Sequence, residues 1–295
     1  MAVLFLSRGT FGGVQDLVDT LCGSTRARCI SREDLIKDVS RYGDWATAIV
    51  EQLSNATSAY EQFSRARHTY IVLMRQALLA RIQEDSVIYH GLSGHLLVPR
   101  LPHFVRVRIC EPLGQQIAVT MDRMNCDQDS ARSQIREAEN LQVRWARFVY
   151  GRDVRDPTLY DLNINLGHFS REVTMNVLSY LLSEPSLRAT PETRAEMGRL
   201  LRAADVEAAL TRDPRTREYE IDCTATDTSL RLEGPYLDEA ARAVVREVAM
   251  SVDPKHPIEY APGYATGHRL EDRTEYFLPA RRVVREVGDA EHPVG

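Results

Sequence analysis

Ser7-Arg8-Gly9-Thr10-Phe11-Gly12-Gly13 stands almost at the start of this 295-residue chain. An apolar run, Val3-Leu4-Phe5-Leu6, leads into it, and Val14, Leu17, Val18, Leu21 and Cys22 follow at helical spacing. Strand, glycine-rich turn and helix in that order form an anion-binding arrangement, because free backbone N–H groups at the helix start face the bound charge. The segment departs from the phosphate-loop pattern G-x-x-x-x-G-K-[ST]: it is shorter, and no lysine lies within reach. Taken alone, Gly9-x-x-Gly12-Gly13 reads equally well as a tight strand-to-helix turn. Its place after the first strand supports the binding reading, since ligands gather at the C-terminal ends of parallel strands.

Further along, His90 and His95 flank a Gly91-Leu92-Ser93-Gly94 turn. Their spacing is not H-E-x-x-H, and no cysteine or second histidine pair stands near, so they read as polar residues at the mouth of a sheet rather than zinc ligands. Residues 91–94 also follow a strand, and they face the same cleft as residues 9–13. Arg132, Arg136, Arg144 and Arg147 share one side of a helix. Such a stripe is usually a solvated face, although in a phosphoryl-transfer protein it would neutralise charge on the moving phosphate. No Ser/His/Asp, Cys/His or paired-carboxylate arrangement stands out.

The elements that must position these residues alternate between strand-like and helix-like stretches, the signature of an α/β fold with a parallel sheet. Residues 28–30 form a short strand, and Ser31 then sits where a helix cap belongs, with Glu33 and Asp34 suiting the helix dipole. A helical region runs from about residue 60 to 82, a strand over 86–90, and an alternating strand over 103–110. Asp127 or Asp129 caps a helix reaching Tyr150, residues 159–166 alternate again, and Ser170 caps a helix with Val173, Val177 and Leu181 on its apolar face. Residues 183–191 look like a linker. Beyond it come a helix near 203–210, strands over 219–224 and 229–233, a clean amphipathic helix over 237–252 and a strand near Ile258. From Pro262 the pattern fades into an extended tail.

Bulk properties narrow the function classes. The net charge of −5 predicts no general attraction to nucleic acid. No apolar run approaches the roughly 18 residues of a membrane helix, and residues 2–6 are too short for a secretory signal. The five scattered cysteines, with no C-x-x-C, read as reduced packing residues of a cytoplasmic protein.

Six stretches carry a resemblance that covers most of the chain: SRGTFGG, CISREDLI, VIYHGLSGHLL, VRVRI, RWARFVYGRDVRDPTLYDLNINL and FSREV. Their order resembles the cytidylate kinase-like family of P-loop nucleoside monophosphate kinases. The resemblance implies a three-layer α/β domain with a parallel sheet over residues 1–182. A linker over 183–199 leads to a small α+β domain of αββα type over 200–260, where VEAALTRDPRT and LRLEG are similar to a BON domain, and an irregular tail follows over 261–295. It further implies transfer of the ATP γ-phosphate to CMP or a similar monophosphate, with Mg²⁺. By the same resemblance Arg8, Gly9, Thr10, Gly12 and Gly13 surround the donor phosphates. Ser31, Arg32, Glu33, Gly91, Gly94 and His95 lie near the acceptor nucleotide, and Arg144, Arg147, Arg152 and Asp153 belong to the arginine-rich lid. The partners implied are the nucleotide substrate and a ligand or protein at the BON-like unit, with oligomerisation left open. Three departures stand out: Leu92 replaces the arginine of the family's G-R-D, the lid's D-x-x-R reads Glu139-x-x-Gln142, and Phe11 directly precedes Gly12 in a loop one residue shorter. They define the alternative, a catalytically degenerate relative that senses or scaffolds through its BON-like unit.

Overall fold

The computed structural model describes residues 2–8, 14–55, 64–83, 86–234 and 237–261. Strands β1 (Val3–Arg8), β2 (Arg28–Ser31), β3 (Val87–Gly91), β4 (Phe104–Cys110) and β5 (Leu162–Asn165) build one sheet in the order β2-β3-β1-β4-β5. Every neighbouring pair is parallel, with Leu6 opposite His90 on one side and Val107 on the other. The uninterrupted apolar run of β1 suits a central strand covered on both faces, and Val3 to Leu6 are each at most 1% exposed.

Period-two alternation sorts the strand side chains into two cores. Leu4, Leu6, Ile88, Val105, Val107, Ile109 and Ile164 face one helical layer, through Leu17 and Leu21 of α1 (Val14–Ser24) and Leu178 and Leu182 of α7 (Arg171–Ser183). Val3, Phe5, Ile30, Val87, Tyr89 and Phe104 face the other layer, made by α2 (Arg32–Ser40), α3 (Asp44–Asn55), α4 (Ser64–Arg81) and α6 (Gln128–Tyr150). Helix α5 (Leu113–Met124) packs on α6 through Ile117, Ala131 and Ile135. The result is the expected three-layer parallel α/β fold.

Several details differ from expectation. Helix α7 buries Thr174, Leu178 and Leu182, one position out of register with the predicted face, and leaves Val173 and Val177 exposed. Its apolar residues are too many for one stripe, so spacing alone did not fix which set faces the sheet. Cys22 and Cys29 are joined as a disulfide with Cα atoms 6.0 Å apart, which corrects the reading of all five cysteines as reduced. The short return from α1 into β2 brings both onto the same side of the sheet, against the same core. Cys110, Cys126 and Cys223 are free thiols.

The residues read as a linker over 183–199 are helical from Pro191. There Thr190 and Thr193 form a reciprocal cap that opens α8 (Pro191–Arg212). In T-P-x-T the proline and hydroxyls that suggest a linker instead start a helix, with Pro191 at its first position. Strands β6 (Asp222–Ala225) and β7 (Leu230–Glu233) pair antiparallel, and β8 (Ile258–Tyr260) joins β7 in parallel. Helix α9 (Glu239–Val252) covers this sheet through Val245, Val248 and Ala249, while Ala240 and Val252 of the expected stripe face solvent. The tail predicted from residue 262 onward lies outside the described residues.

Candidate functional site

The C-terminal edge of the sheet collects Arg8 from β1, Ser31 from β2 and Gly91 from β3. Gly9, Thr10, Gly12 and Gly13 lie outside the described residues, as does the side chain of Arg8. What is described is the frame around them: β1 ends at Arg8 and α1 begins at Val14. The glycine-rich residues 9–13 therefore stand in sequence between the central strand and a helix N-terminus, where orphan N–H groups and the helix dipole favour an anion.

On the β2–β3 side the sheet end is closed by an aromatic box. The guanidinium of Arg32 lies 5.3 Å from the Trp145 ring centroid, and its Nη2 is 3.4 Å from the Tyr70 hydroxyl. Trp145 stands edge-on to Tyr70 at 5.8 Å and to Tyr150 at 5.4 Å. A guanidinium over an aromatic face gains from the ring quadrupole, most when water is excluded. Ser31 does different work. Its hydroxyl donates to Asp34 Oδ2 at 2.8 Å and accepts from the Asp34 N–H at 3.1 Å, so it caps α2. Hydrogen bonds from the Ser31 backbone and hydroxyl hold the Asp34 carboxyl below the usual carboxylate range. Glu33 is exposed on the first turn of α2.

The turn after β3 is pressed against this box. Gly91 has φ +151°, and a Cβ there would stand 3.0 Å from Arg32 Cβ and 3.2 Å from the Tyr89 hydroxyl. At Gly94 a Cβ would come within 2.1 Å of the Tyr89 ring, so only glycine lets the chain pass. Between them Ser93 adopts φ 54° with its hydroxyl buried and without a partner among the described residues. Left-handed backbone at a non-glycine residue is strain, and strain of this kind collects at binding sites.

His95 opens the second half of the site, on the β1–β4 side. It is 4% exposed, its ring lies 5.0 Å from that of Tyr160, and its Nε2 has no partner among the described residues. Burial, assisted by the charge of Arg106 and opposed by Asp161, pushes its pKa down to about 3, so the imidazole is neutral. Arg106 is locked onto Asp161 by its Nε at 3.1 Å and Nη2 at 2.7 Å. The Arg106 backbone N–H donates to the same carboxylate at 2.9 Å, and Arg100 joins it at 2.9 Å. Here lies a cavity of about 260 Å³ whose walls include Phe5, His95, Arg100, Phe104, Arg106 and Arg152.

The remaining predicted lid residues are arranged differently. Arg147 Nη2 donates to Asp153 Oδ2 at 2.7 Å, and Arg155 grips the same carboxylate through its backbone N–H, Nε and Nη2. Arg155 above all, and Arg147 after it, hold the Asp153 carboxyl far below the usual range, so it is a fixed anion that shapes the turn. Arg144 lies on the solvated face of α6 with Arg132 and Arg136. The structure thus brings Arg32, Gly91 and Gly94 together, and places His95 and Arg152 around one cavity; Glu33 and Arg144 stand apart. Sequence reasoning missed Tyr70, Tyr150 and the Arg106–Asp161 pair. The signal for the last was available, since an arginine on a strand buried on both faces requires an acidic partner.

Strand order, parallel pairing and helices on both faces define the class as a three-layer α/β fold of the P-loop kinase type. The profile of the cytidylate kinase-like family matches residues 17–168, and the chain belongs to that family. Among solved structures it is similar to an uncharacterized protein from Eubacterium ventriosum, at 13% identity and a TM-score of 0.47, covering 62% of this chain and 99% of that one. A shikimate kinase from Bacteroides thetaiotaomicron aligns at 13% identity and a TM-score of 0.37, over 62% of this chain and 98% of its own. A dephospho-CoA kinase from Campylobacter jejuni aligns at 10% identity and 0.29, over 61% and 97%. No curated protein matches the chain in sequence.

Proposed function

We propose that the protein binds ATP at residues 8–13 and transfers its γ-phosphoryl group to CMP or a similar nucleoside monophosphate. The observation that carries this reading is the frame around residues 9–13: the central parallel strand ends at Arg8 and a helix begins at Val14, with a glycine-rich sequence between them, in a chain of the cytidylate kinase-like family. Arg32, held in its aromatic box beside Gly91 and Gly94, supplies a positive charge for the acceptor phosphate. Arg147 and Arg152 stand on the lid side, where charge on the moving phosphoryl group needs offsetting. Among the described residues no three acidic, histidine or cysteine side chains converge, so Mg²⁺ would be held chiefly by the nucleotide's own phosphate oxygens. A cytoplasmic location belongs to the same reading, with the Cys22–Cys29 bond made only under oxidising conditions.

The second reading is a degenerate relative that binds but does not turn over, with residues 200–260 as a BON-like ligand or partner module. It is favoured by Leu92 in place of the family's arginine and by the commitment of Arg147 to Asp153. Titration with ATP, CMP, dCMP, AMP and UMP, with and without Mg²⁺, followed by a phosphate-transfer assay, separates the two. Gly12→Val should weaken ATP binding at least tenfold, because a branched side chain fills the space a phosphate needs. Unchanged ATP affinity in that variant would show that residues 9–13 are only a turn, and binding without transfer would select the second reading.

A further inference from the structure

The cavity beside β4 shares Arg152 with the proposed lid, but most of its lining is not used by the proposed phosphoryl transfer. Phe5 and Arg106 are paired across β1 and β4, three residues below the level of Arg8. At roughly 3.3 Å per residue that is about 10 Å beneath the end of the strand. A group bound against the Arg106 guanidinium therefore does not share the position at which the glycine loop would hold a transferring phosphate.

The walls have a definite chemistry. Arg100, Arg106 and Arg152 face the space against one lining carboxylate, Asp156. Behind them Asp161 ties down both Arg106 and Arg100, so their guanidinium groups are oriented before any ligand arrives. Arg106 spends Nε and Nη2 on that pair, leaving Nη1. Opposite, Phe5 and Phe104 meet edge-on at 5.2 Å, and Leu96, Val98, Pro99 and Leu159 complete an apolar wall. His95 contributes an independent sign of a missing partner: a neutral ring, nine-tenths buried, whose Nε2 lacks a hydrogen bond among the described residues. An unsatisfied buried polar atom costs free energy that a bound group can recover. A cavity of about 260 Å³ is many times the space of about 10–15 Å³ that a single water needs, so it admits a compact organic ligand.

We propose that this cavity is a second binding site, separate from the glycine loop, for a compact ring compound carrying one oxyanion, either a carboxylate or a phosphate ester. The oxyanion is received by Arg106 and Arg100, the ring lies on Phe5, Phe104 and Leu159, and His95 Nε2 bonds the ring's polar substituent or the anion itself. Neither ATP binding nor phosphoryl transfer is required, so this site stands or falls independently of the proposed activity.

The test is an NMR titration of the full-length protein, without nucleotide, following the His95 ring signals. Benzoate and phenyl phosphate represent the two sources of the anion, inorganic phosphate the anion without a ring, and benzyl alcohol the ring without an anion. Saturable shifts at His95 with benzoate or phenyl phosphate are expected, with whichever binds tighter identifying the anion. Inorganic phosphate and benzyl alcohol should each bind at least tenfold more weakly. Arg100→Gln, at a half-exposed position, should weaken the better ligand about tenfold, and Leu159→Trp should fill the cavity and remove the response. If His95 is unmoved by both ring anions, the site does not exist as described. The proposal is equally overturned if inorganic phosphate or benzyl alcohol binds as well as they do, or if the response survives both substitutions in protein that is still folded.

Discussion

His95→Gln should flatten the acid side of the stability profile, by an amount that follows from the burial of one ring. In the folded chain His95 is neutral because burial, with Arg106 near it, lowers its pKa to about 3; in the unfolded chain a histidine titrates near 6.5. Its folded value is depressed, so between these limits the unfolded chain binds the proton and the folded chain does not. The contribution of the neutral ring is therefore complete above the unfolded pKa, and it is lost progressively as pH falls from about 6.5 towards 3. At about 1.4 kcal/mol per pH unit once well below 6.5, the loss between pH 7 and pH 5 comes to about 2 kcal/mol. Glutamine keeps a polar group of similar reach and does not titrate. Urea unfolding followed by the fluorescence of Trp45 and Trp145, at half-unit steps from pH 7 to pH 5, gives the two profiles. Carboxylates common to both proteins, such as the capped Asp34, cancel in the difference. The wild type should lose about 2 kcal/mol more than the variant over this interval. Parallel profiles would refute the reasoning, since they would mean that the His95 ring is reached by protons in the folded state.

Gly94→Ala places a methyl within 2.1 Å of the Tyr89 ring. Overpacking of this kind costs about 1–3 kcal/mol, and the variant should show a lower urea midpoint together with a displaced turn after β3. Glu207→Ala removes the carboxylate that accepts from Arg75 Nη1 at 3.1 Å and from the Cys223 N–H at 2.8 Å. Losing one partner of a buried ion pair costs about 3–5 kcal/mol, so thermal denaturation should show a drop of that order, while the paired change Arg75→Met with Glu207→Met should restore part of it. Cys22→Ser opens a seven-residue separation, worth about 2.5 kcal/mol in the loop-entropy account. The loss should appear in oxidised protein and vanish when the wild type is measured under reducing conditions.

Legibility in the sequence followed how strongly each feature depends on local pattern. The β1 run, the Val105/Val107/Ile109 alternation, and the caps Ser31, Asp127 and Ser170 are local, and each sits where the residues placed it. Family resemblance, not periodicity, pointed to Arg32 beside Gly91 and Gly94. The aromatic box was out of reach because Tyr70, Tyr89, Trp145 and Tyr150 come from three elements, and nothing in their spacing says that they converge. Trp145 in particular reads as one more apolar position on α6, and it is buried there while also stacking on Arg32. The disulfide was hidden for a related reason: Cys22 ends a helix and Cys29 begins a strand, and only the turn between them decides that their side chains meet.

Helix α8 shows why the boundary between the two units was hardest to see. Met197, Ala204 and Ala208 on one side belong to the core that covers the central sheet, while Ala203, Val206, Ala209 and Leu210 belong to the core beneath β6, β7 and α9. A helix with apolar residues on two faces has no single stripe, so its periodicity is blurred, and only its densest stretch, near residues 203–210, was visible. The same duplication ties the units together. Gln76 of α4 donates to Asp205 at 2.9 Å, and Arg75 joins Glu207 while its Nε donates to the Leu97 carbonyl at 3.2 Å. Leu97 is two residues from His95, and the other Glu207 oxygen accepts from the backbone of β6. Two side chains thus connect the C-terminal sheet to the turn that carries His95. A chain ending at residue 182 would lack α8, leaving Arg75 without Glu207 and uncovering apolar surface on α4. The small sheet, deprived of α4, would keep only one side of α8's packing. The C-terminal unit therefore braces, through Glu207 and Arg75, the turn that carries His95.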